Sequence, residues 1–369
     1  MTSGVDFLVN RSDFSTTQIA PITAPSAEEL KAGQVLLKVD RFAFTANNIT
    51  YATLGNALNY WNFFPKAEGW GNIPVWGFAD VIASNCEDTN EGERFYGYYP
   101  MSTHLIVEPT KVTANSFVDG AKHRQALSVI YNQYIRCAND SLYTADTEAL
   151  QMLLRPLFTT SFLLDDFFDD NAFFGANNLI LTSASSKTAI GMAFLLSRSR
   201  EKRAQQYKVI GLTSSNNAEF VKGLGCYDQV LTYDEVNELD CESTGAIIDF
   251  AGNGELLGQV HSLLNEQLKY SCLVGVSHWD QRGGLPKDLA GPAPQMFFAP
   301  AQAQKRLEDW GSTEFQQRMT EVWLSFTAFV SRWIQIEDIN GADSVTHAYK
   351  QVLEGKSRPA MAYTFSMSE

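Results

Sequence analysis

Residues 183–188 combine small and hydroxyl side chains with one lysine, and this set of residue types can bind phosphate. The cluster follows residues 178–182, an apolar run with the length and composition of a buried strand. Apolar residues recur at helical spacing after it, so the pattern predicts a strand, a tight polar turn and a helix. In that geometry the backbone N–H groups at the helix N-terminus point at an anion. The side chains that would add donors are Ser185, Ser186, Lys187 and Thr188.

Three interpretations of this turn compete. The dinucleotide-binding fingerprint has glycines at these places, whereas this turn has none before Gly191. A nucleoside-triphosphate loop requires a glycine before the lysine and another upstream, and the absence of both disfavours this interpretation. The two interpretations that the residues favour over it are a dinucleotide turn with altered chemistry and a purely structural turn.

The elements around the turn favour the dinucleotide interpretation. From residue 178 onward, strand-like and helix-like segments alternate, which implies βαβ units and a doubly wound parallel sheet. Ligands of such sheets bind outside the carboxyl ends of the strands. The segments predicted at those ends are residues 183–188, 213–217, 250–252 and 277–278.

The N-terminal third has a different pattern of predicted secondary structure. Short strands separated by turn residues follow one another from residue 35 to residue 108, which predicts a small β-barrel-like unit. Apolar and aromatic residues within 121–154 then recur at helical spacing and predict helix. The tail predicts a helix that ends at Gly355, followed by a strand over 360–365.

Composition excludes several classes of protein. The 369 residues carry a net charge of −14, so a basic surface for nucleic acid is not expected. No apolar run approaches the ~18 residues that span a bilayer. The first residues lack the features of a secretory signal. The five cysteines are scattered without a CxxC pair, which supports neither a zinc cluster nor a disulfide framework. These features predict a cytoplasmic protein that does not bind membranes.

The order of these pieces resembles the medium-chain dehydrogenase/reductase superfamily, in its zinc-free, quinone-oxidoreductase-like branch. The segments that carry the resemblance are LKAGQVLLKVDRFAFTANNIT, IPVWGFADVIAS, NNLILTSASSKTAIGMAFLLS and EGKSRPAMAYTF. The resemblance implies an α/β protein of two domains. A GroES-like, β-rich catalytic domain would comprise residues 1–158 and 334–369, and a Rossmann-type nucleotide-binding domain residues 159–333.

The sequence departs from the family pattern at the positions of the zinc ligands and at two glycines of the phosphate-binding turn. Zinc-dependent relatives carry a cysteine in the first loop and a Gly-His-Glu sequence further on. Here those places read Ala46-Asn47-Asn48 and Trp76-Gly77-Phe78, so no metal site is expected. Ser186 and Ala189 stand where the family has glycines. The larger of the two, Ser186, could hinder the approach of a diphosphate to the backbone.

The end of the second strand predicts the cofactor. NAD-specific sites place an Asp or Glu there for the ribose, whereas residues 212–217 contain no carboxylate. Hydroxyls and a lysine suit the 2′-phosphate of NADP(H), with an ordinary helix cap as the alternative. With the resemblance, the predicted cofactor-binding residues are Thr160, Ser183, Ser185, Ser186, Lys187, Thr188, Ala189, Thr213, Ser214, Ser215, Lys222, Phe250, Gly252, Gly275, Ser277 and His278.

The resemblance also implies the chemistry. Tyr51, Tyr60 and Asn48 lie in the loop that borders the active site in similar enzymes; a tyrosine would donate a proton, and Asn48 would polarise a carbonyl. We expect NADP(H)-dependent reduction of an enone or carbonyl in an apolar or aromatic small molecule. The alternative is a catalytically silent relative that binds nucleotide or a protein partner. A homodimer is expected to form through the strand over residues 269–276.

Overall fold

The computed structural model describes residues 2–274, 288–355 and 358–368. The chain divides into two compact units, one made of Met1–Leu153 with Ile334–Glu369 and the other of Leu154–Trp333. None of the described helices is long and apolar enough to cross a membrane.

The N-terminal segment is mostly strand. Its elements are β1 (Thr2–Asn10), β2 (Asp13–Ala24), β3 (Val35–Phe44), α1 (Ala46–Thr53), β4 (Trp70–Gly71), β5 (Pro74–Ser84), β6 (Arg94–Pro100), β7 (His104–Val107), β8 (Pro109–Thr110), β9 (Ser116–Asp119) and β10 (Gln133–Arg136).

Helices and strands alternate through the middle of the chain. They are α2 (Glu148–Asp170), β11 (Asn178–Leu181), α3 (Lys187–Ser199), β12 (Lys208–Thr213), α4 (Ala218–Gly223), β13 (Gln229–Thr232), β14 (Gly245–Asp249), α5 (Gly254–Leu264), β15 (Leu268–Val274), β16 (Gln295–Phe297) and α6 (Ala299–Val330). The tail contains β17 (Gln335–Asn340), α7 (Ala342–Leu353) and β18 (Met361–Ser366).

The first unit is built around a nine-stranded mixed sheet, whose strand order is β17-β18-β3-β5-β6-β10-β9-β8, with β7 paired to β3. Strand β18 runs antiparallel to β3 and parallel to β17, so the tail is an integral part of this unit. Buried aromatic side chains join the strands, and Phe44 stacks on Phe365 with ring centroids 5.6 Å apart. A second sheet has the order β2-β1-β4.

The second unit contains a six-stranded parallel sheet of order β13-β12-β11-β14-β15-β16. Its first strand in sequence, β11, is central, and the chain winds outward from it in both directions. All four residues of β11 are buried, as expected for a strand covered on both faces. The order reverses between β11 and β14, which is the topological switch point where such sheets bind ligands.

Two sequence-based expectations are wrong. Residues 121–136 form short 3-10 turns and β10 rather than a helix, because the buried guanidinium of Arg124 hydrogen-bonds Asp119, Asn132 and the Tyr131 carbonyl. These tertiary contacts override local spacing. The strand expected at a dimer edge is also internal, because β15 is flanked by β14 and β16.

Candidate functional site

The polar turn joins β11 to α3 at the carboxyl edge of the parallel sheet. Ser183 has φ 48°, the left-handed region that glycine occupies without strain. Its carbonyl accepts a hydrogen bond from Ser186 N at 2.7 Å, which closes the turn. Ala184 N donates to Leu212 O at 3.0 Å and so fixes the turn against β12. Ser183 therefore takes the conformation that the first glycine of a dinucleotide turn supplies, and the sequence alone did not identify it as a strained position.

Helix α3 starts at Lys187, with Ser186 as its N-cap. The Ser186 hydroxyl accepts a 3.4 Å hydrogen bond from Ala189 N, so one amide at the helix N-terminus is engaged by the protein itself. The side chain of Lys187 is half-buried, and its removal from water lowers the pKa of its ammonium to about 8. A cation partly removed from water at a helix N-terminus favours an anionic ligand.

Close packing holds the start of α3 against α2. Ser161 Oγ donates to Thr188 O at 2.8 Å. A Cβ on Gly191 would lie 2.6 Å from Ser161 Oγ, so this position has no room for a side chain. Ala189 is fully buried beside it. Thr160, the residue before Ser161, is half-buried and bonds back to Pro156 O at 3.3 Å within α2.

The side chains predicted to determine specificity for NADP(H) over NAD(H) lie at and after the end of β12. Thr213 is fully buried, and its hydroxyl has no hydrogen-bond partner among the described residues. Ser214 and Ser215 follow at a 3-10 turn, with Ser215 exposed. Lys222 lies in the last turn of α4, mostly exposed, with its ammonium 3.1 Å from Glu219. Glu219 therefore competes with any phosphate for this lysine.

Asn217 connects the two turns, and the sequence did not single it out. Its Nδ2 donates to Ser185 Oγ at 3.0 Å. This bond holds the hydroxyl-rich ends of β11 and β12 together at the same edge of the sheet. A polar residue after a strand is a common helix cap, so the pattern carried no signal for this contact.

A buried polar pair also lies at the switch point. Thr182 Oγ1 donates to Asp249 Oδ1 at 2.5 Å, and it accepts hydrogen bonds from Phe250 N and Ala251 N at 2.9 and 3.1 Å. Asp249 is 2% exposed, and burial raises the pKa of its carboxyl. Thr182 directly follows the apolar strand β11, and Asp249 ends the apolar strand β14. A polar residue at the end of an apolar strand could have indicated this pair from the sequence.

The remaining predicted residues of this edge divide into two groups. Phe250 is half-buried, and Gly252 has φ 63° in the loop before α5. Gly275, Ser277 and His278 lie outside the described residues.

The first unit holds a cluster of aromatic side chains around the predicted tyrosines. Tyr51 from α1 packs on Tyr60 with ring centroids 4.7 Å apart. The hydroxyl of Tyr60 lies 3.3 Å from that of Tyr131. Burial raises the pKa of Tyr51 to about 12 and also raises the pKa of Tyr60. The aromatic cluster comprises Tyr51, Tyr60, Phe63, Phe64, Trp76, Tyr98 and Tyr131.

Asn48 has a structural role that the sequence did not predict. Its Oδ1 accepts hydrogen bonds from Thr45 N at 2.8 Å and Thr45 Oγ1 at 3.2 Å, which caps helix α1. Its Nδ2 donates to Pro74 O at 3.0 Å. The amide is buried, and both its oxygen and its nitrogen have hydrogen-bond partners within the protein.

No group of three or more His, Cys, Asp or Glu side chains able to hold a metal ion occurs within residues 2–274, 288–355 and 358–368.

A family model described as protein of unknown function, DUF2855, matches residues 42–358. The chain belongs to this family. No curated protein matches the sequence.

Solved structures show the same fold at low identity. An enoyl thioester reductase from Candida tropicalis, in a mutant form, has TM-score 0.60 at 13% identity, covering 99% of this chain and 100% of that one. CurA from Vibrio vulnificus has TM-score 0.58 at 14% identity, covering both chains completely. The yhdH oxidoreductase from Salmonella enterica, solved in complex with NADP, has TM-score 0.54 at 15% identity, covering 99% of each chain. The expected two-domain α/β fold, with a β-rich domain and a doubly wound parallel sheet, is confirmed.

Proposed function

We propose that the chain is a zinc-independent oxidoreductase that uses NADP(H) to reduce an enone or carbonyl in an apolar or aromatic substrate. The observation that carries the proposal is the half-buried cation Lys187 in a hydroxyl-rich turn at the switch point of a doubly wound sheet. The NADP complex of the structurally similar yhdH oxidoreductase supports the choice of cofactor.

The residues of this edge fit the cofactor. The buried Thr213 hydroxyl, without a partner in the described part of the chain, has hydrogen-bonding capacity left for a ligand. Lys187, Ser185 and Thr188 would hold the diphosphate, and Ser214, Ser215 and Lys222 the 2′-phosphate. When bound, NADPH supplies the hydride.

A substrate that has accepted a hydride needs one proton, and Tyr60 is the proposed donor. The residue is half-buried, and its ring packs in the aromatic cluster. Tyr51 lies deeper, with 7% of its surface exposed, so it forms a wall for an aromatic or apolar substrate. The proposal assigns no proton transfer to Asn48, whose amide holds α1 and the Pro74 carbonyl in place.

Calorimetry with NADPH and NADH tests the cofactor assignment. We expect NADPH to bind at least about tenfold more tightly, since a charge-assisted phosphate contact contributes about 1.5–3 kcal/mol. Lys222→Ala should weaken only NADPH, and Lys187→Met should weaken both cofactors. Lys208→Met is the matched control, because Lys208 is exposed at the amino end of β12.

Turnover is then measured as enone-dependent loss of NADPH absorbance. Equal affinities for the two cofactors, unchanged in the Lys222 variant, would remove the argument for NADP(H). They would leave residues 214–217 as a helix cap.

The second candidate is a catalytically silent protein that binds nucleotide or a protein partner. Ser186 favours it, because this side chain occupies a helix N-terminal amide that a diphosphate would otherwise use. Tight NADPH binding without turnover across a panel of enones and quinones would support this alternative.

A homodimer is also part of the proposal. Strand β16 is the outermost strand of the parallel sheet in the described part of the chain, and it exposes 46% of Met296. Phe298 follows directly and is 66% exposed. An apolar edge strand of this kind pairs readily with a second copy.

A further inference from the structure

Tyr131 has no assigned role, yet its hydroxyl is the hydrogen-bond partner of Tyr60. The two oxygens lie 3.3 Å apart, and either one can be the donor. The rings are nearly perpendicular, at 81°, with centroids 5.8 Å apart. We propose that Tyr131 is a positioning residue that donates a hydrogen bond to Tyr60 and stabilises the phenolate formed when Tyr60 gives up its proton. The role of this hydrogen bond in catalysis rests on the proposed function, in which Tyr60 is the proton donor.

The backbone of Tyr131 is fixed from both sides. Arg124 Nη2 donates to its carbonyl at 2.7 Å, and its own N–H donates to Ser128 O at 3.1 Å. Its ring packs on Tyr98 with centroids 4.8 Å apart and on Trp76 at 6.0 Å. The hydroxyl is therefore held at one place by contacts that do not involve it.

The Tyr60 side of the pair is fixed as well. The next residue, Trp61, is 2% exposed and fills a slot between two glycines. A Cβ on Gly55 would lie 2.1 Å from the indole, and one on Gly71 would lie 2.5 Å from it. Asn59 adopts φ 61°, which starts the turn that presents Tyr60. Both partners thus belong to rigid local structures, so their hydrogen bond costs little additional ordering.

The surroundings decide which phenol ionises. The titratable groups that face the pair are the phenols of Tyr51 on α1, whose hydroxyl also hydrogen-bonds that of Tyr131, and Tyr98 on β6; the nearest charged group is Arg124, which binds the Tyr131 carbonyl. Burial raises the pKa of Tyr60, and the Tyr131 hydroxyl lowers it again. Burial also raises the pKa of Tyr131, and its hydroxyl contacts with Tyr60 and Tyr51 raise it further. A Tyr60 phenolate can only accept a hydrogen bond, so once Tyr60 has acted as the acid, the Tyr131 hydroxyl 3.3 Å away is the donor.

The proton transfer balances as follows. After the β-carbon of an enone has accepted a hydride, the Tyr60 O–H bond breaks and a C–H bond forms at the α-carbon. The electron pair stays on the Tyr60 oxygen, which accepts the hydrogen bond from Tyr131. The Tyr60 phenolate then takes up a proton from the solvent, so the net reaction consumes one hydride and one proton.

Fluorine NMR of protein with 3-fluorotyrosine at position 60 tests this inference without requiring turnover. In Tyr131→Phe the hydrogen bond is lost and the ring is kept, so we expect the pKa of residue 60 to rise by about one unit, a tenfold change in ionisation constant. Tyr143→Phe is the matched control, since its hydroxyl bonds Glu148 instead, and it should leave residue 60 unchanged. Near-ultraviolet circular dichroism checks that each variant folds.

An unchanged or lowered pKa at residue 60 in folded Tyr131→Phe would overturn the inference. If the wild type reduces enones, the same variant should lower kcat with KM unchanged, and the pH profile of kcat should move upward with the NMR value. A wild type that reduces no enone or carbonyl would count against the proposed function, and the NMR titration would still decide whether Tyr131 stabilises the phenolate.

Discussion

Arg124 and Asp119 form an ion pair inside the first unit, with 2.9 Å between Nη1 and Oδ2 and both side chains 1% exposed. The same guanidinium binds Tyr134 Oη at 2.8 Å and lies over the rings of Phe63 and Phe64. One buried cation thus connects the segment that carries Tyr60 to the turn that carries Tyr131.

Arg124→Met should lower the free energy of unfolding by about 3–5 kcal/mol, because it leaves the Asp119 carboxylate buried without its partner. Urea denaturation measures the change. In Arg124→Met/Asp119→Asn the amide oxygen can still accept the hydrogen bonds from Glu108 N and Ala121 N. The double variant should therefore lose less stability than the two single variants added together. Additive losses would show that the pair is not coupled.

Gly191→Ala should lower the free energy of unfolding by about 1–3 kcal/mol, because the new methyl group overlaps Ser161 where α3 packs on α2. Gly223→Ala is the control: it lies in α4 with nothing within 4 Å of the added Cβ. That change should be neutral or stabilise by up to about 1 kcal/mol. Equal effects of the two substitutions on thermal unfolding would contradict the tight contact.

Asp249→Asn should make the protein more stable at neutral pH. Burial raises the folded pKa of this carboxyl above its ordinary 3.8, so its stabilising contribution is full below 3.8 and is lost as the pH rises through the folded value. An asparagine oxygen can keep the hydrogen bonds from Thr182 and Ala251 without the charge. Unfolding midpoints between about pH 4 and pH 8 check this, since the two proteins should converge at the acid end. A constant difference across that range would show that ionisation plays no part.

Cofactor affinity should fall above about pH 8, where Lys187 loses its proton. A bound phosphate favours the charged lysine, so each further pH unit should weaken NADPH binding by up to about tenfold. Titrations near pH 7 and pH 9 on the wild type and Lys187→Met measure the effect. The variant should bind weakly at both pH values, with a much smaller difference between them. A wild type with equal affinity at both would place Lys187 away from the phosphates.

Phe298→Asp should convert the expected homodimer to a monomer, because a charge at the exposed end of β16 opposes edge-to-edge pairing. Leu324→Asp is the control, because Leu324 on α6 is 53% exposed but lies away from the sheet edge in sequence. Sedimentation velocity at micromolar concentration distinguishes the two masses. A monomeric wild type would contradict the dimer.

Local sequence patterns predicted strands β11 to β15 of the parallel sheet but not its short edge strand β16. Apolar runs with polar ends, such as residues 178–182 and 245–249, marked both the strands and the edge where Lys187 lies. Such patterns work because strands buried on both faces need continuous apolar residues. The helix–strand alternation after residue 178 followed for the same reason.

Long-range contacts explain what the sequence concealed. The turn at Tyr131 depends on Arg124 reaching Asp119, Asn132 and a backbone carbonyl, and local helical spacing carries no sign of that. The hydrogen bond from Asn48 to Pro74 joins residues 26 positions apart, so no local pattern predicts it. The hydroxyl contact between Tyr60 and Tyr131 spans 71 positions.

The pairing of β18 with β3 also bears on how the protein is made. Residues 363–365 complete one side of β3, so a ribosome exposes that part of β3 as an unpaired edge until the last strand emerges. The six strands of the parallel sheet in the second unit are all synthesised before β18, because the last of them, β16, ends at Phe297. A nascent chain that stalls in α7 therefore has a complete parallel sheet in its second unit, while β3 in its first unit still has an unpaired edge. Such a stalled chain is a natural substrate for chaperones.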